Sequence, residues 1–357
     1  MYLRKKGVID MSGKKIVVIG GGTGQAVFLI GLKHYTEKIT AVVPVTDNGS
    51  SSGMLREDLG MLPPGDIRSC VLALADAEPT MEEVFKYRFD RGRLKDQCLG
   101  NLFIAAMSEI FGSFEAAVAK MSEFLAVKGK VLPVSLDDLQ LSVELENGKI
   151  VTGESGIKLE VIKQKSPIKK VYVGPGSPKA YHAVLDEIYN ADYIVLGPAS
   201  LYTSLLADLV IPKVADIIRE SKAKKIYVAN LMTQPGETDN MTILDHINAI
   251  EEHVGEGLID VVIANNFTLD EKTLRKAKVD DEDMKTGTEY IEAMEKYEEQ
   301  EAKQLVLDNA QRKALKDKGI EIVEENLVEV KKGYIRHDAH KLSELIIKGL
   351  DKKVEEK

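Results

Sequence analysis

Lys14–Gly24 reads KKIVVIGGGTG, and this stretch decides the fold. Ile16–Ile19 is a short, β-branched apolar run, the pattern of a buried strand. Gly20, Gly21, Gly22, Thr23 and Gly24 follow, and Ala26–Leu32 is apolar almost without a break, which fits a buried helix. A strand that feeds a glycine-rich turn into a helix N-terminus makes an anion site. The glycines let the backbone approach a phosphate, and the free amides of the first helical turn point at it. Gly20–Gly24 is therefore expected to cradle a phosphate of a nucleotide-like ligand; the competing reading is a tight corner. It is not a Walker loop, because no Gly-Lys-Ser/Thr follows, and Gln25 stands where a full dinucleotide fingerprint needs glycine.

Moving outward, Ile39–Val45 reads as a second strand that ends in Thr46-Asp47-Asn48-Gly49-Ser50-Ser51-Ser52-Gly53. Ligands of open parallel sheets gather at the carboxyl ends of strands, so this loop is expected beside the cradle. Asp47 lies about twenty residues past the cradle, where dinucleotide enzymes keep a ribose-binding acid. Asn48, Ser51 and Ser52 offer an amide and two hydroxyls, and a helix-capping role for Asp47 is the alternative. Pro63-Pro64-Gly65 sets a rigid turn. Asp66 after it is read as the cap of a helix from Ile67, and Arg68 as a phosphate clamp or the partner of Asp66. Residues 80–128 carry apolar positions at helical spacing and read as core helices, with Asn101 opening one of them as a cap or a ligand contact.

From Val131 to Ile162 the period changes to two, and Asn147-Gly148 marks a hairpin. The α/β rhythm resumes with apolar runs at Val171–Val173, Tyr193–Leu196, Ile226–Ala229 and Val261–Ala264, each followed by a polar turn. In a doubly wound sheet these turns line one crevice. Gly197, Ser200, Tyr202, Thr203 and Asn230 are the expected contacts from them. Ser200 is not a nucleophile elbow, since Leu201 and Tyr202 break Gly-x-Ser-x-Gly. Tyr297 lies in a charged helical stretch, and Arg336-His337 precedes the last helix, with Arg336 a second charge contact for a phosphate or a structural partner of an acid.

The expected fold class is α/β: a Rossmann-like, doubly wound, mostly parallel sheet with a β-hairpin insertion at about 131–165 and a charged helical insertion at 270–318. One domain spans 14–330, residues 331–357 form a C-terminal helix packed on it, and 1–13 form a loose leader. The 357 residues are 44% hydrophobic, ample for one core, and the net charge of −9 without a basic block argues against duplex nucleic acid. No stretch approaches eighteen apolar residues, and the start lacks an apolar signal region, so a cytoplasmic protein with no membrane span is expected. Cys70 and Cys98 lack metal-site spacing and read as buried thiols. Asp280–Asp283 reads as a solvated acidic loop, and no metal ligands or catalytic residues are assigned.

The runs IGGGTG, TDNGSSSGMLR, PPGDIR, LGNL, GPASLYTS, ANLMTQPGET and IRHD, in this order, resemble the gluconeogenesis factor (YvcK-type) proteins of the 2-phospho-L-lactate transferase superfamily. The resemblance runs from about Lys14 to the last helix. It implies a Rossmann-like core that binds UDP-sugars such as UDP-N-acetylglucosamine, and a link to cell-wall synthesis and cell shape on gluconeogenic carbon sources. The transferase branch moves a phospholactyl group onto a deazaflavin alcohol with magnesium. The chain departs from the family's usual pattern: Asn48 replaces an acid, Ser50 a glycine, Gln97 a histidine and Ala199 a glycine. A lost carboxylate weakens a magnesium site, and glutamine cannot serve as a general base. These changes favour binding over catalysis.

Three functions stand in competition. The first is a UDP-sugar-binding regulator, with a protein partner in cell-wall synthesis and a homodimer through the hairpin as further expectations. In it Tyr297 stacks on the uracil. The second is a phospholactyl-type transferase acting on a nucleoside-diphosphate donor with magnesium, in which Asp47 binds a metal or the acceptor alcohol and Arg68 steadies the diphosphate. The third is an NAD-binding protein, carried by the cradle and Asp47 alone.

Overall fold

The computed structural model describes residues 13–268, 292–331 and 333–349. The leader before residue 13, the acidic run Asp280–Asp283 and the chain past 349 lie outside them. Seven parallel strands form the central sheet: β1 (Ile16–Ile19), β2 (Ile39–Val43), β3 (Lys130–Pro133), β7 (Tyr193–Leu196), β8 (Lys224–Val228), β9 (Val261–Asn265) and β10 (Glu321–Glu325). Their order is β10-β9-β8-β7-β1-β2-β3. β1, β2, β7 and β9 are buried along their whole length, as parallel strands covered by helices on both faces must be. That burial explains their continuous apolar runs. The chain winds outward from β1 to β3, then returns to place β7 against the other side of β1. The winding reverses between β1 and β7, and an open α/β sheet leaves a crevice at such a point.

A second sheet holds the antiparallel strands β4 (Gln140–Leu145), β5 (Ile150–Thr152) and β6 (Ile168–Gly174), in the order β5-β4-β6. This corrects two expectations. Val131–Pro133 is an edge strand of the parallel sheet and not the start of the insertion. Val171–Val173 belongs to the antiparallel sheet, where Val171 pairs with Val143, so Gly174–Ser177 is not a turn at the end of a parallel strand. The physical reason is one-sided burial: Val171 faces the core while Lys169, Lys170 and Tyr172 have one face in water or at its edge. A short β-branched run hides that alternation. The helix Glu154–Gln164 sits between β5 and β6.

The helix Gly22–Leu32 is apolar nearly all round and buries Phe28, Leu29 and Leu32, while Ile30 stays exposed. Its Gln25 donates from Nε2 to the carbonyls of Val18 and Val42, both at 3.0 Å, stitching β1 to β2 from above. Its Gly31 meets the C-terminal helix Ala339–Gly349 so closely that a Cβ there would collide with the Ala339 carbonyl. A hairpin of β11 (Val328–Lys331) and β12 (Tyr334–His337) leads into that last helix. The His337 imidazole is buried and makes a 3.1 Å hydrogen bond from Nε2 to the Ala229 carbonyl, tying β12 to the end of β8. Burial lowers its pKa to about 4, so the ring is neutral and donates through Nε2. Among the described residues no single helix is long and apolar enough to cross a membrane.

Candidate functional site

The reversal point holds a cleft of about 410 Å³. Gly21, Gly22, Thr23 and Gly24 line it from the end of β1. Pro198, Ala199 and Ser200 line it from the end of β7, and Asn230–Pro235 with Glu237 from the end of β8. Tyr297, Gln300, Arg336 and His337 come from the C-terminal part, and Lys158 from the insertion. Turns from three neighbouring strands thus converge, as the crevice rule requires.

The cradle and the turn after β7 touch backbone to backbone. A Cβ on Gly24 would lie 2.5 Å from the Pro198 carbonyl oxygen, so only glycine lets these two turns close on each other. Asn230 strengthens the junction by donating from Nδ2 to the Ala199 carbonyl at 3.0 Å. Ser200 Oγ accepts from Gln234 Nε2 at 2.7 Å. The Ser200 carbonyl also starts a π-helical turn, Leu201–Leu205, by accepting the Leu205 amide at 2.9 Å. Such wide turns occur often at functional sites.

The structure divides the sequence-derived candidates. Gly21, Gly22, Thr23, Gly24, Ser200, Asn230, Tyr297 and Arg336 line the cleft. Gly20 and Gly197 lie directly behind it: a Cβ on Gly20 would meet the Ala199 side chain at 2.8 Å. Asp47 and Asp66 stand next to the cradle without lining the cleft. Asp66 does not cap its own helix, Gly65–Leu74; its Oδ2 accepts the Gly22 amide at 3.0 Å and so occupies the first amide of the helix Gly22–Leu32. Asp47 Oδ1 accepts the Gly49 amide at 2.8 Å, a local turn. Asn48 Oδ1 accepts the Ser155 amide at 2.9 Å and so braces the insertion helix.

Ser51, Asn101 and Arg68 form one polar chain off the cleft. Arg68 Nε donates to Asn101 Oδ1 at 2.8 Å, Asn101 Nδ2 donates to Ser51 Oγ at 3.1 Å, and Ser51 Oγ donates to Gln97 Oε1 at 2.8 Å. Arg68 therefore does not pair with Asp66 as a cap. Ser52 is buried against Gly65. Tyr202, expected as a crevice donor, is 5% exposed, and its hydroxyl reaches only Met241 Sδ at 3.8 Å. Burial pushes its pKa up to about 12. Thr203 is buried too and donates to the Glu237 carboxylate at 3.2 Å.

Three residues escaped the sequence reading. Glu237 lies in the turn after β8, one of several polar residues there with no mark to distinguish it. Glu154 and Lys158 sit on the helix Glu154–Gln164, in a stretch that sequence alone assigns to a β-hairpin insertion. Electrostatics link Glu154, Glu237 and Asp66. Burial raises Glu154 to about 9, with Asp47, Asp66 and Glu237 adding repulsion. Burial raises Glu237 to about 7, against the Thr203 hydrogen bonds and Lys158. Burial and Asp47 raise Asp66 to about 6, against the Gly22 amide and Arg68. Each acid holds its proton more tightly folded than unfolded, where the ordinary values are 3.8 for aspartate and 4.5 for glutamate. The folded protein therefore binds extra protons between those values and the raised ones, and stability falls as pH rises through that window. Urea denaturation across the window is expected to show this decline, and Glu237→Gln to flatten it up to about pH 7, because glutamine has no proton to lose. An undiminished slope in the variant would show that Glu237 is not responsible.

The model of the family 2-phospho-L-lactate transferase CofD matches residues 16–328. The chain is 40% identical over 334 residues to the gluconeogenesis factor of Bacillus subtilis, covering 93% of this chain and 97% of that one. It is 40% identical over 340 residues to the gluconeogenesis factor of Halalkalibacterium halodurans, covering 95% and 97%. A crystal structure of a UPF0052 family member from Bacillus halodurans superimposes with a TM-score of 0.83 at 39% identity, covering 93% of this chain and 99% of that one.

Proposed function

The chain belongs to the gluconeogenesis factor family, within the 2-phospho-L-lactate transferase CofD family, and on that premise we propose that it binds a UDP-sugar, such as UDP-N-acetylglucosamine, as a cytoplasmic regulator of cell-wall synthesis and cell shape on gluconeogenic carbon sources. One observation carries the reading: Gly21, Gly22, Thr23 and Gly24 of the glycine turn and Arg336 line a single cleft at the reversal point of the sheet. Helix N-terminal amides and a guanidinium are the groups that hold phosphate oxygens. Tyr297 and Pro235 add apolar surface for a base.

Binding is favoured over catalysis by what the polar side chains already do. Ser200 accepts from an amide and not from an imidazole, Asn48 braces a helix, and Gln97 is tied to Ser51. The transferase family name raises magnesium as a second reading. Among the described residues no group of three or more His, Cys, Asp or Glu is arranged to hold a metal ion. Asp47 and Asp66 each already accept a backbone amide proton on one carboxylate oxygen.

Calorimetric titration with UDP-N-acetylglucosamine, UDP-glucose and UDP tests the proposal. Saturable binding to all three, tighter for the sugars, is expected. Absence of binding at millimolar concentration would refute it. Turnover of a nucleoside-diphosphate lactate donor with magnesium would instead establish the transferase reading.

A further inference from the structure

Lys158 and Arg336 are the lysine and the arginine among the residues that line the cleft. They arrive from unrelated parts of the chain: Arg336 from the C-terminal hairpin, Lys158 from the insertion helix Glu154–Gln164. The Lys158 side chain is exposed to the cleft and makes no hydrogen bond or ion pair among the described residues. Its stem is nevertheless fixed. Lys158 packs on the turn after β8, where a Cβ on Gly236 would lie 2.8 Å from both its Cγ and its carbonyl oxygen. The start of its helix is held by Asn48, through the Ser155 amide at 2.9 Å. Lys158 also lies near enough to Glu237 to draw that acid's pKa down.

A free ammonium on an anchored helix has a chemical use at this place. The glycine turn and the guanidinium suffice for one phosphate, since one offers amides and the other a planar fork. A second phosphate brings further charge, and an ammonium is the point charge to meet it. We propose that Lys158 is a specificity-determining residue that binds the second phosphate of a nucleoside diphosphate, so that the insertion is the wall by which the protein tells diphosphates from monophosphates. The inference rests on the nucleotide reading above and adds to it the element that counts phosphates.

Calorimetric titration of the full chain and of Lys158→Ala with UDP and UMP tests it. The unmodified protein is expected to prefer UDP. Lys158→Ala is expected to bind UDP about tenfold more weakly and UMP within about twofold of the unmodified protein. Lys158→Arg is expected to recover most of the UDP affinity, and an unchanged thermal midpoint of each variant checks that the fold is intact. UDP affinity kept within about twofold in Lys158→Ala would overturn the proposal. So would an equal loss for UDP and UMP, which would make Lys158 a shaper of the cleft and not a reader of the second phosphate. If the unmodified protein binds neither nucleotide, the nucleotide reading fails first, and that failure is seen before any variant is compared.

Discussion

Gly24→Val is expected to abolish nucleotide binding and to destabilise the protein by about 3 kcal/mol, the upper part of the range for forcing atoms into a packed interior. Any Cβ at this position meets the Pro198 carbonyl oxygen at 2.5 Å and its carbon at 3.1 Å, both backbone atoms that cannot swing aside. The turns after β1 and β7 must then part, and the two sides of the cleft part with them. Gly22→Ala is the useful contrast. Gly22 has φ of +67°, and a Cβ added there would find no atom within 4 Å, so the cost is backbone strain of about 1–2 kcal/mol without a collision. Urea denaturation should rank Gly24→Val below Gly22→Ala in stability. The reverse order would mean that the contact between the two turns does not govern the site.

Arg336→Ala is expected to weaken UDP-sugar binding by about 10- to 100-fold, the loss of one or two charge-assisted hydrogen bonds, with little change in folding stability. The guanidinium is placed by its neighbours. It stacks over the Tyr334 ring at 4.9 Å, and Nη1 donates to the Ile335 carbonyl at 3.1 Å. That contact leaves most of its donors for a ligand. Arg336→Lys is expected to recover only part of the affinity, because an ammonium lacks the planar fork and the stacking. Titration calorimetry at moderate salt measures both. Full affinity in Arg336→Ala would remove this residue from the site.

Most of the sheet was legible because burial on both faces leaves continuous β-branched runs, as in Ile16–Ile19 and Val261–Ala264. The crevice was legible for a topological reason: once β1 and β7 are neighbours, the turns that follow them must meet. Gly21–Gly24, Ser200 and Asn230 follow from that rule. Arg336 was legible only as a charge before a helix, and the His337 bond to Ala229 is what brings it to the rim. Tyr202 misled because its loop reads as polar, whereas the wide turn from Ser200 carries the ring into the interior. Lys158 and Glu154 left no local trace. Their place depends on the Asn48–Ser155 contact, which joins residues 107 positions apart.

The meeting of Gly31 with Ala339 bears on the order in which the protein is made. The helix that presents the cradle leaves the ribosome long before the helix that covers it. Until the β11–β12 hairpin has emerged, Arg336 is missing and the early helix has an uncovered apolar flank. On the proposed function, competence for the nucleotide therefore comes late in synthesis. A chain stalled before that hairpin would expose the flank to chaperones while lacking the guanidinium proposed to hold a nucleotide.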